Sequence, residues 1–333
     1  MSSIIEDLQR TDAFPESTGS VSVVQTHISM VFVCDHYVYK IKKPVNFGFL
    51  DFSTLDKRRY FCEKEVELNR RLAKDIYVGV EPVIFDGKRH LIGQGEGEIV
   101  DYAVKMKRIP EDMLMSRVFE RGELKENQLV DVARVIANFH LNAETSPEIE
   151  VFGRPERFKI NTDENFEQVE KYIGISIDRE KFSGLKEWTE EFYRKNEGLF
   201  ESRIREKRIR DCHGDLHMEH ICLTDEIPII DCIEFNDRFR YSDTIADIAF
   251  LLMDLEYHGG YEYADILWEN YKGLANEDEE AGLLLKFYKV YRAFVRGKVN
   301  SFQLDDPSIG QKAKDDAINR ARKYFDLAYS YLH

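Results

Sequence analysis

Ile209-Arg210-Asp211-Cys212-His213-Gly214-Asp215-Leu216-His217-Met218-Glu219-His220-Ile221-Cys222-Leu223 is the stretch on which the reading of this chain turns. After four intervening residues comes Pro228-Ile229-Ile230-Asp231-Cys232-Ile233-Glu234-Phe235. Each segment sets a polar tip beside an apolar, strand-like run, a pattern that predicts two carboxylates, Asp215 and Asp231, at the ends of neighbouring short strands. Phosphoryl transfer calls for such a pair. One carboxylate orients the attacking hydroxyl and accepts its proton, and the other holds a divalent cation that offsets charge on the phosphates. Hard Mg2+ takes oxygen ligands, which a carboxylate, phosphates and water supply.

Upstream the chain reads as strand-rich. Val21 to Gln25 and Met30 to Cys34 are apolar or β-branched, Tyr37 to Lys42 alternates, and Asp35-His36 supplies the turn of a hairpin. Ser53-Thr54 offers caps for a helix running through Arg59 to Ala73, with Phe61, Val66, Leu68 and Leu72 as its apolar positions. Two further strands, Glu81 to Phe85 and Ile99 to Met106, follow. After Pro110 the period changes. Glu123 to Asn142 is amphipathic, residues 163–202 read as one or two helices, residues 209–235 as short strands, and helices run from Asp243 to the end. This order predicts an α+β chain of two lobes, a small β-rich N-lobe over residues 1–106 and a larger α-rich C-lobe over residues 107–333. Ligands commonly occupy a cleft between such lobes.

The run His213-Gly214-Asp215-Leu216-His217, with Ile230-Asp231 behind it, resembles the aminoglycoside/choline phosphotransferase group. That group carries H-G-D-x-x-x-x-N and then I-D, the counterparts of the catalytic loop and metal-binding segment of protein kinases. The resemblance implies a protein-kinase-like fold and ATP-dependent transfer of phosphate to a hydroxyl of a small molecule, with GTP also open as donor. It implies Asp215 as catalytic base, His213 as the holder of its loop, and Asp231 as the ligand of Mg2+ or Mn2+. Asp243-Thr244-Ile245-Ala246-Asp247-Ile248-Ala249 resembles the family's D-x-x-x-D-L-A helix start, with Asp247 as a buttress of the loop and Asp243 as a helix cap. The segments 38–52 and 65–72 are similar to an uncharacterised bacterial branch of the superfamily.

One position departs from the pattern. His220 stands where the family has a metal-binding Asn. Imidazole suits Mn2+ or Zn2+ better than Mg2+. Either His220 ligates the metal and shifts its preference, or it hydrogen-bonds a carboxylate while Asp231 carries the metal. Loss of activity, leaving a nucleotide-binding pseudokinase, is the rival outcome. Kinases also need a strand cation for the phosphates and a helix carboxylate to orient it. Lys40 is the first candidate and Lys42, on the same strand face, its rival; Glu65 is the candidate partner and Glu63 its alternative. The loop Thr26 to Ser29 would cover the nucleotide, and Met106, Lys107 and Arg108 would meet its adenine edge.

The bland readings have their own weight. The cluster Cys212, His213, His217, His220, Cys222 and Cys232 invites a zinc-dependent hydrolase, but its spacing fits zinc poorly and the cysteines alternate with apolar residues as core thiols do. Arg292, Arg296 and Lys298 recur on one helix side; a cleft-facing set that binds an anionic substrate group is one reading, and an exposed basic helix face is the preferred one. Sixty-two acidic against 47 basic residues give a formal net charge of −15, which disfavours nucleic acid and anionic membranes and suits a cationic or neutral substrate. No apolar run approaches the roughly 20 residues that span a bilayer. The segment Met1 to Asp7 has no secretory character. Five cysteines fit reduced thiols, and the expectation is a cytoplasmic protein. Acceptor identity and oligomeric state leave no mark in the sequence.

Overall fold

The computed structural model describes residues 3–93 and 95–333; Met1 and Ser2, where the N-terminal reading starts, lie outside the described residues. The chain forms two compact units, Met1–Glu123 with Glu219–Asp237, and Leu124–Met218 with Arg238–His333. It is mixed α+β, as the pattern of periods predicts.

The first unit contains α1 (Ile4–Leu8), β1 (Ser22–Gln25), β2 (Ser29–Val33), β3 (Tyr37–Lys42), α2 (Leu55–Asn69), β4 (Tyr77–Phe85), β5 (His90–Ile92), β6 (Glu98–Lys107) and α3 (Met115–Glu120). Its six strands form one antiparallel sheet in the order β1-β2-β3-β6-β4-β5. Alternation along β3 sorts its side chains. Tyr39 and Ile41 join Phe32, Val83 and Ala103 in a core that Leu8, Ala13 and Phe14 close from the N-terminal side. Lys40 and Lys42 point to the other face, where α2 lays Cys62 and Val66 against Tyr77 and Val104. Thr54 caps α2, its Oγ1 accepting the Lys57 N–H at 3.2 Å.

Residues 219–237 complete this unit, but not as the strand pair predicted from their apolar runs. Ile221 and Ile229 make an isolated bridge, and the Ile230 N–H reaches His220 O at 2.9 Å. Left-handed backbone at Ile227 (φ 45°) and Asp231 (φ 62°) stops the ladder from growing.

The second unit contains α4 (Glu126–Asn142), α5 (Pro147–Glu150), α6 (Pro155–Val169), α7 (Arg179–Arg205), β7 (Ile209–Asp211), α8 (Asp237–Arg240), β8 (Tyr241–Asp243), α9 (Thr244–Tyr257), α10 (Tyr261–Ala275), α11 (Ala281–Phe302) and α12 (Gln311–Ser330). β7 and β8 pair antiparallel. Helix α9 is buried along its whole length, so it has no solvent face on which to place its three carboxylates. Each is matched inside the protein. Asp247 meets His140, Asp254 accepts the Met218 N–H at 3.1 Å, and Glu256 takes Lys289 and the Tyr331 hydroxyl. Asp243 caps the helix, accepting the Ile245 N–H at 2.9 Å, and pairs with Arg203.

The exposed basic face read from Arg292, Arg296 and Lys298 is not found. Arg292 is buried, donating to Ala246 O at 2.9 Å and Gly214 O at 3.0 Å, and the other two are partly buried. Their periodicity was that of a packed face with polar anchors. Among the described residues no helix is long and apolar enough to cross a membrane.

Helices α11 and α12 approach closely at Gly297, where an added Cβ would stand 2.7 Å from the Phe325 ring. Gly297→Ala is expected to destabilise the protein by about 1–3 kcal/mol through overpacking, read as a lower urea midpoint with an unchanged slope; an unchanged midpoint would mean that α12 yields freely.

Candidate functional site

In the first unit a buried ionic network joins β3, α2 and the segment after residue 228. Lys40 Nζ lies 2.6 Å from Asp231 Oδ1 and 3.0 Å from Glu65 Oε1. Lys42 Nζ lies 2.6 Å from Glu65 Oε2 and also contacts Glu234. The side chains of Lys42 and Glu65 are 1% and 0% exposed, whereas Asp231 is 44% exposed. The two lysines therefore differ in setting. Lys42 is sealed between two glutamates, while Lys40 bridges the buried glutamate to a carboxylate that meets solvent.

The charges shift as that arrangement requires. Burial works against the charge of Lys40, but Asp231 and Glu65 hold its pKa well above the ordinary lysine value. Burial would raise Glu65, and Lys40 and Lys42 together bring it below the usual range. Glu234 goes the other way: burial and the nearby Glu65 raise it against the pull of Lys42. Asp231 keeps its left-handed backbone through its N–H, which donates to Tyr77 Oη at 3.1 Å, and its neighbour Cys232 donates to Asn69 Oδ1 at 2.8 Å. His220 Nε2 stands 3.6 Å from Asp231 Oδ2. The adjoining carboxylate and imidazole are a donor set suited to Mn2+ as well as Mg2+.

In the second unit the loop after β7 is tied to α9. Both oxygens of Asp247 are used: Oδ2 accepts the His213 N–H at 2.9 Å and Oδ1 the Gly214 N–H at 2.8 Å. His140 adds Nε2 at 3.1 Å from Oδ2 and is itself set by Tyr271 Oη at 2.8 Å from Nδ1. Burial would raise Asp247, yet these partners hold it far below the usual carboxylate range. Gly214 takes φ 87°, a conformation an L side chain would resist. His213 Nδ1 receives the Asp215 N–H at 3.3 Å. The result is a loop fixed from behind that turns Asp215 outward, partly exposed. His217 Nε2 lies 3.5 Å from Asp215 Oδ2, and Asp215 lifts the histidine pKa above its ordinary value despite burial.

The other predicted nucleotide contacts stand outside the ionic network. Ser29 is buried at the start of β2, in register with Lys42, and its hydroxyl has no hydrogen-bond partner among the described residues. Met106 pairs with Val38 and Tyr77, and the exposed Arg108 pairs with Glu111. Glu63, the alternative to Glu65, is taken by Arg59 on the exposed side of α2. All five cysteines are buried core thiols. Sequence reasoning missed Glu234 and His140, and it read Arg292 as exposed. Glu234 could have been found from the unpaired second lysine on β3, whereas His140 carries no local signal.

The model of the phosphotransferase enzyme family matches residues 59–283. An uncharacterised protein of Mycobacterium tuberculosis (strain H37Rv) is 32% identical over 313 residues, which are 94% of this chain and 60% of that protein. A protein of Mycobacterium bovis matches equally, so the chain spans 60% of the length of these curated relatives. Among solved structures, a choline/ethanolamine kinase family protein from Mesorhizobium loti superposes with TM-score 0.53 at 13% identity, covering 98% of each chain. A microcompartment-associated aminopropanol kinase gives 0.54 at 13%, covering 99% of this chain and 98% of that one. An amicoumacin kinase solved with AMP-PNP and Ca2+ gives 0.53 at 14%, covering 92% and 88%. These superpositions show a shared fold.

Removing Lys42 would leave two buried carboxylates facing each other. Lys42→Met is expected to cost about 3–5 kcal/mol in urea unfolding, and Lys40→Met markedly less, since Asp231 can turn to solvent; equal losses would refute this division. Asp247→Asn should flatten the acid limb of stability. A carboxylate depressed in the folded state contributes above its unfolded pKa, about 3.9, and that contribution fades as pH falls towards the folded value.

Proposed function

The chain belongs to the phosphotransferase enzyme family, and from that premise we propose that it transfers the terminal phosphate of ATP to a hydroxyl of a small molecule. The observation that carries the reading is the loop His213–Asp215, pinned through two backbone N–H groups to the buried Asp247 with Asp215 left facing outward. A general base has to be held in one orientation to be effective, and this loop holds one.

Asp215 accepts the proton of the acceptor hydroxyl as its oxygen attacks the γ-phosphorus; the new P–O bond forms as the bond to ADP breaks, and the proton stays on Asp215. His213 receives the Asp215 N–H and so shapes the loop without reacting. Lys40 is the cation for the donor phosphates, oriented by Glu65 and exchanging Asp231 for phosphate oxygens. Lys42 and Glu234 keep Glu65 in place while Lys40 changes partner. Asp231, with His220 beside it, fits a divalent cation, Mg2+ or Mn2+. When bound, that cation supplies charge neutralisation on the phosphates. Ser29, Met106 and Arg108 are assigned to nucleotide contact, and the N-lobe over residues 1–106 to nucleotide binding. The buried, unpartnered Ser29 hydroxyl is the one observation among these that asks for a polar partner.

Single-turnover assays with labelled ATP separate catalysis from mere binding. Asp215→Asn is expected to lower turnover by about 100-fold or more, the scale of a lost general base, with ATP affinity retained. Asp231→Ala should lose the metal-dependent part of nucleotide affinity. ATP bound by the wild type with no transfer in Mg2+ or Mn2+ would establish a pseudokinase instead. His220→Asn is expected to shift the activity ratio from Mn2+ towards Mg2+; an unchanged ratio would remove His220 from the metal.

A further inference from the structure

Arg296 of α11 is a cation whose donors the fold leaves largely unused. One turn earlier, Arg292 commits Nε to Ala246 O and Nη1 to Gly214 O and stacks its guanidinium on Phe250 at 4.9 Å. Arg296 lies between the rings of Phe250, at 6.0 Å, and Tyr324, at 5.6 Å. Its one side-chain hydrogen bond is long, Nε to Tyr324 Oη at 3.4 Å. No carboxylate among the described residues makes ion-pair contact with it. Burial works against its charge, yet Tyr324, Asp215 and Asp254 hold its pKa above the ordinary arginine value. Arg296 is partly buried, and its Nη groups hold no hydrogen bond to a partner among the described residues. Its geometry is that of a fork for a carboxylate or phosphate.

Two structural explanations fall short. Neutralising Asp215 and Asp254 would need only a positive charge. His217 already stands 3.5 Å from Asp215, and Asp254 accepts the Met218 N–H. Bracing α12 through Tyr324 uses the ring stack and Nε and leaves both Nη groups over. What remains is a planar donor pair beside the Phe250 ring, which also meets the ring of His217, itself 3.5 Å from Asp215.

We propose that Arg296 is an acceptor-binding residue, and that the acceptor is a hydroxylated molecule carrying an oxyanion, a carboxylate or a phosphate, close to the hydroxyl that is phosphorylated. This rests on the reading of Asp215 as the base. It reverses the inference from bulk charge: the chain is −15 overall, but Arg296 brings a guanidinium with unused donors to the surroundings of Asp215. An acceptor of the choline or polyamine type would meet a like charge there.

The test uses the full chain with Mn2+ and a saturating non-hydrolysable ATP analogue, so that the donor-phosphate contacts are filled. Binding of malonate, of inorganic phosphate and of tetramethylammonium is then measured calorimetrically. Malonate or phosphate is expected to bind and tetramethylammonium not. Arg296→Gln should weaken the anion at least tenfold, Arg296→Lys should lose less, and Tyr324→Phe should change it little; analogue affinity should be unchanged in all three. Malonate against phosphate separates carboxylate from phosphate acceptors. Transfer of labelled phosphate to glycerate, glycerol 3-phosphate, glycerol and 3-amino-1,2-propanediol adds the catalytic arm, in which the two anionic acceptors should exceed the others. Anion affinity equal in wild type and Arg296→Gln would overturn the proposal, as would preference for tetramethylammonium or for the amino acceptor. If Arg296→Gln does not fold, Arg296→Lys and the ion preference of the wild type still decide. Failure of the phosphotransfer reading would show separately, as absence of analogue binding or of an Asp215→Asn effect.

Discussion

Asp247 sits on a helix with no side facing water, so its negative charge survives only because donors surround it. Two of them are backbone N–H groups of the loop that carries Asp215, and a third is His140 from α4. The same contacts therefore satisfy a buried ion and define the shape of the loop. Without the carboxylate the loop would have two unpaired N–H groups in the interior; without the loop the carboxylate would be stranded in α9. The first unit follows the same logic: Glu65, fully buried on α2, is balanced by two lysines from β3.

The strongly patterned parts of the chain were legible from its sequence. Alternation in Tyr37–Lys42 marks β3 with its observed limits, and spacing of apolar residues marks the helical character of the second unit without dividing it into its separate helices. Family-like spacing singled out His213, Asp215, Asp231 and Asp247, and Thr54 announced the start of α2. Failures came where tertiary context decides. Residues 219–237 are apolar enough for strands, but left-handed backbone at Ile227 and Asp231 limits them to isolated pairing. Arg292 and Arg296 have the spacing of a solvated stripe, and only the burial of α9 beneath them shows that they lie on a packed face. His140 lies more than a hundred positions from Asp247 in sequence, and no local pattern could tie the two.

The ionic network also explains why two lysines occur where one would hold a glutamate. Lys40 contacts a solvent-exposed carboxylate as well as Glu65, while Lys42 is enclosed by Glu65 and Glu234. With two cations on it, Glu65 would stay paired on α2 even if Lys40 took another partner. Glu234 completes the enclosure of Lys42, and its raised pKa reflects its burial first and the neighbouring Glu65 second.

The two-residue spacing of these lysines has a further consequence for how the sheet assembles. Side chains on β3 alternate between an apolar face, with Tyr39 and Ile41, and a charged one, with Lys40 and Lys42. A strand that paired one residue out of step would turn both ammonium groups into the apolar core and both large hydrophobes towards Glu65. Each error would be penalised twice over, once for the stranded cations and once for the carboxylate left behind. The network thus acts as a check on strand alignment during folding: correct pairing of β3 with β2 and β6 is the arrangement in which every buried charge finds its opposite.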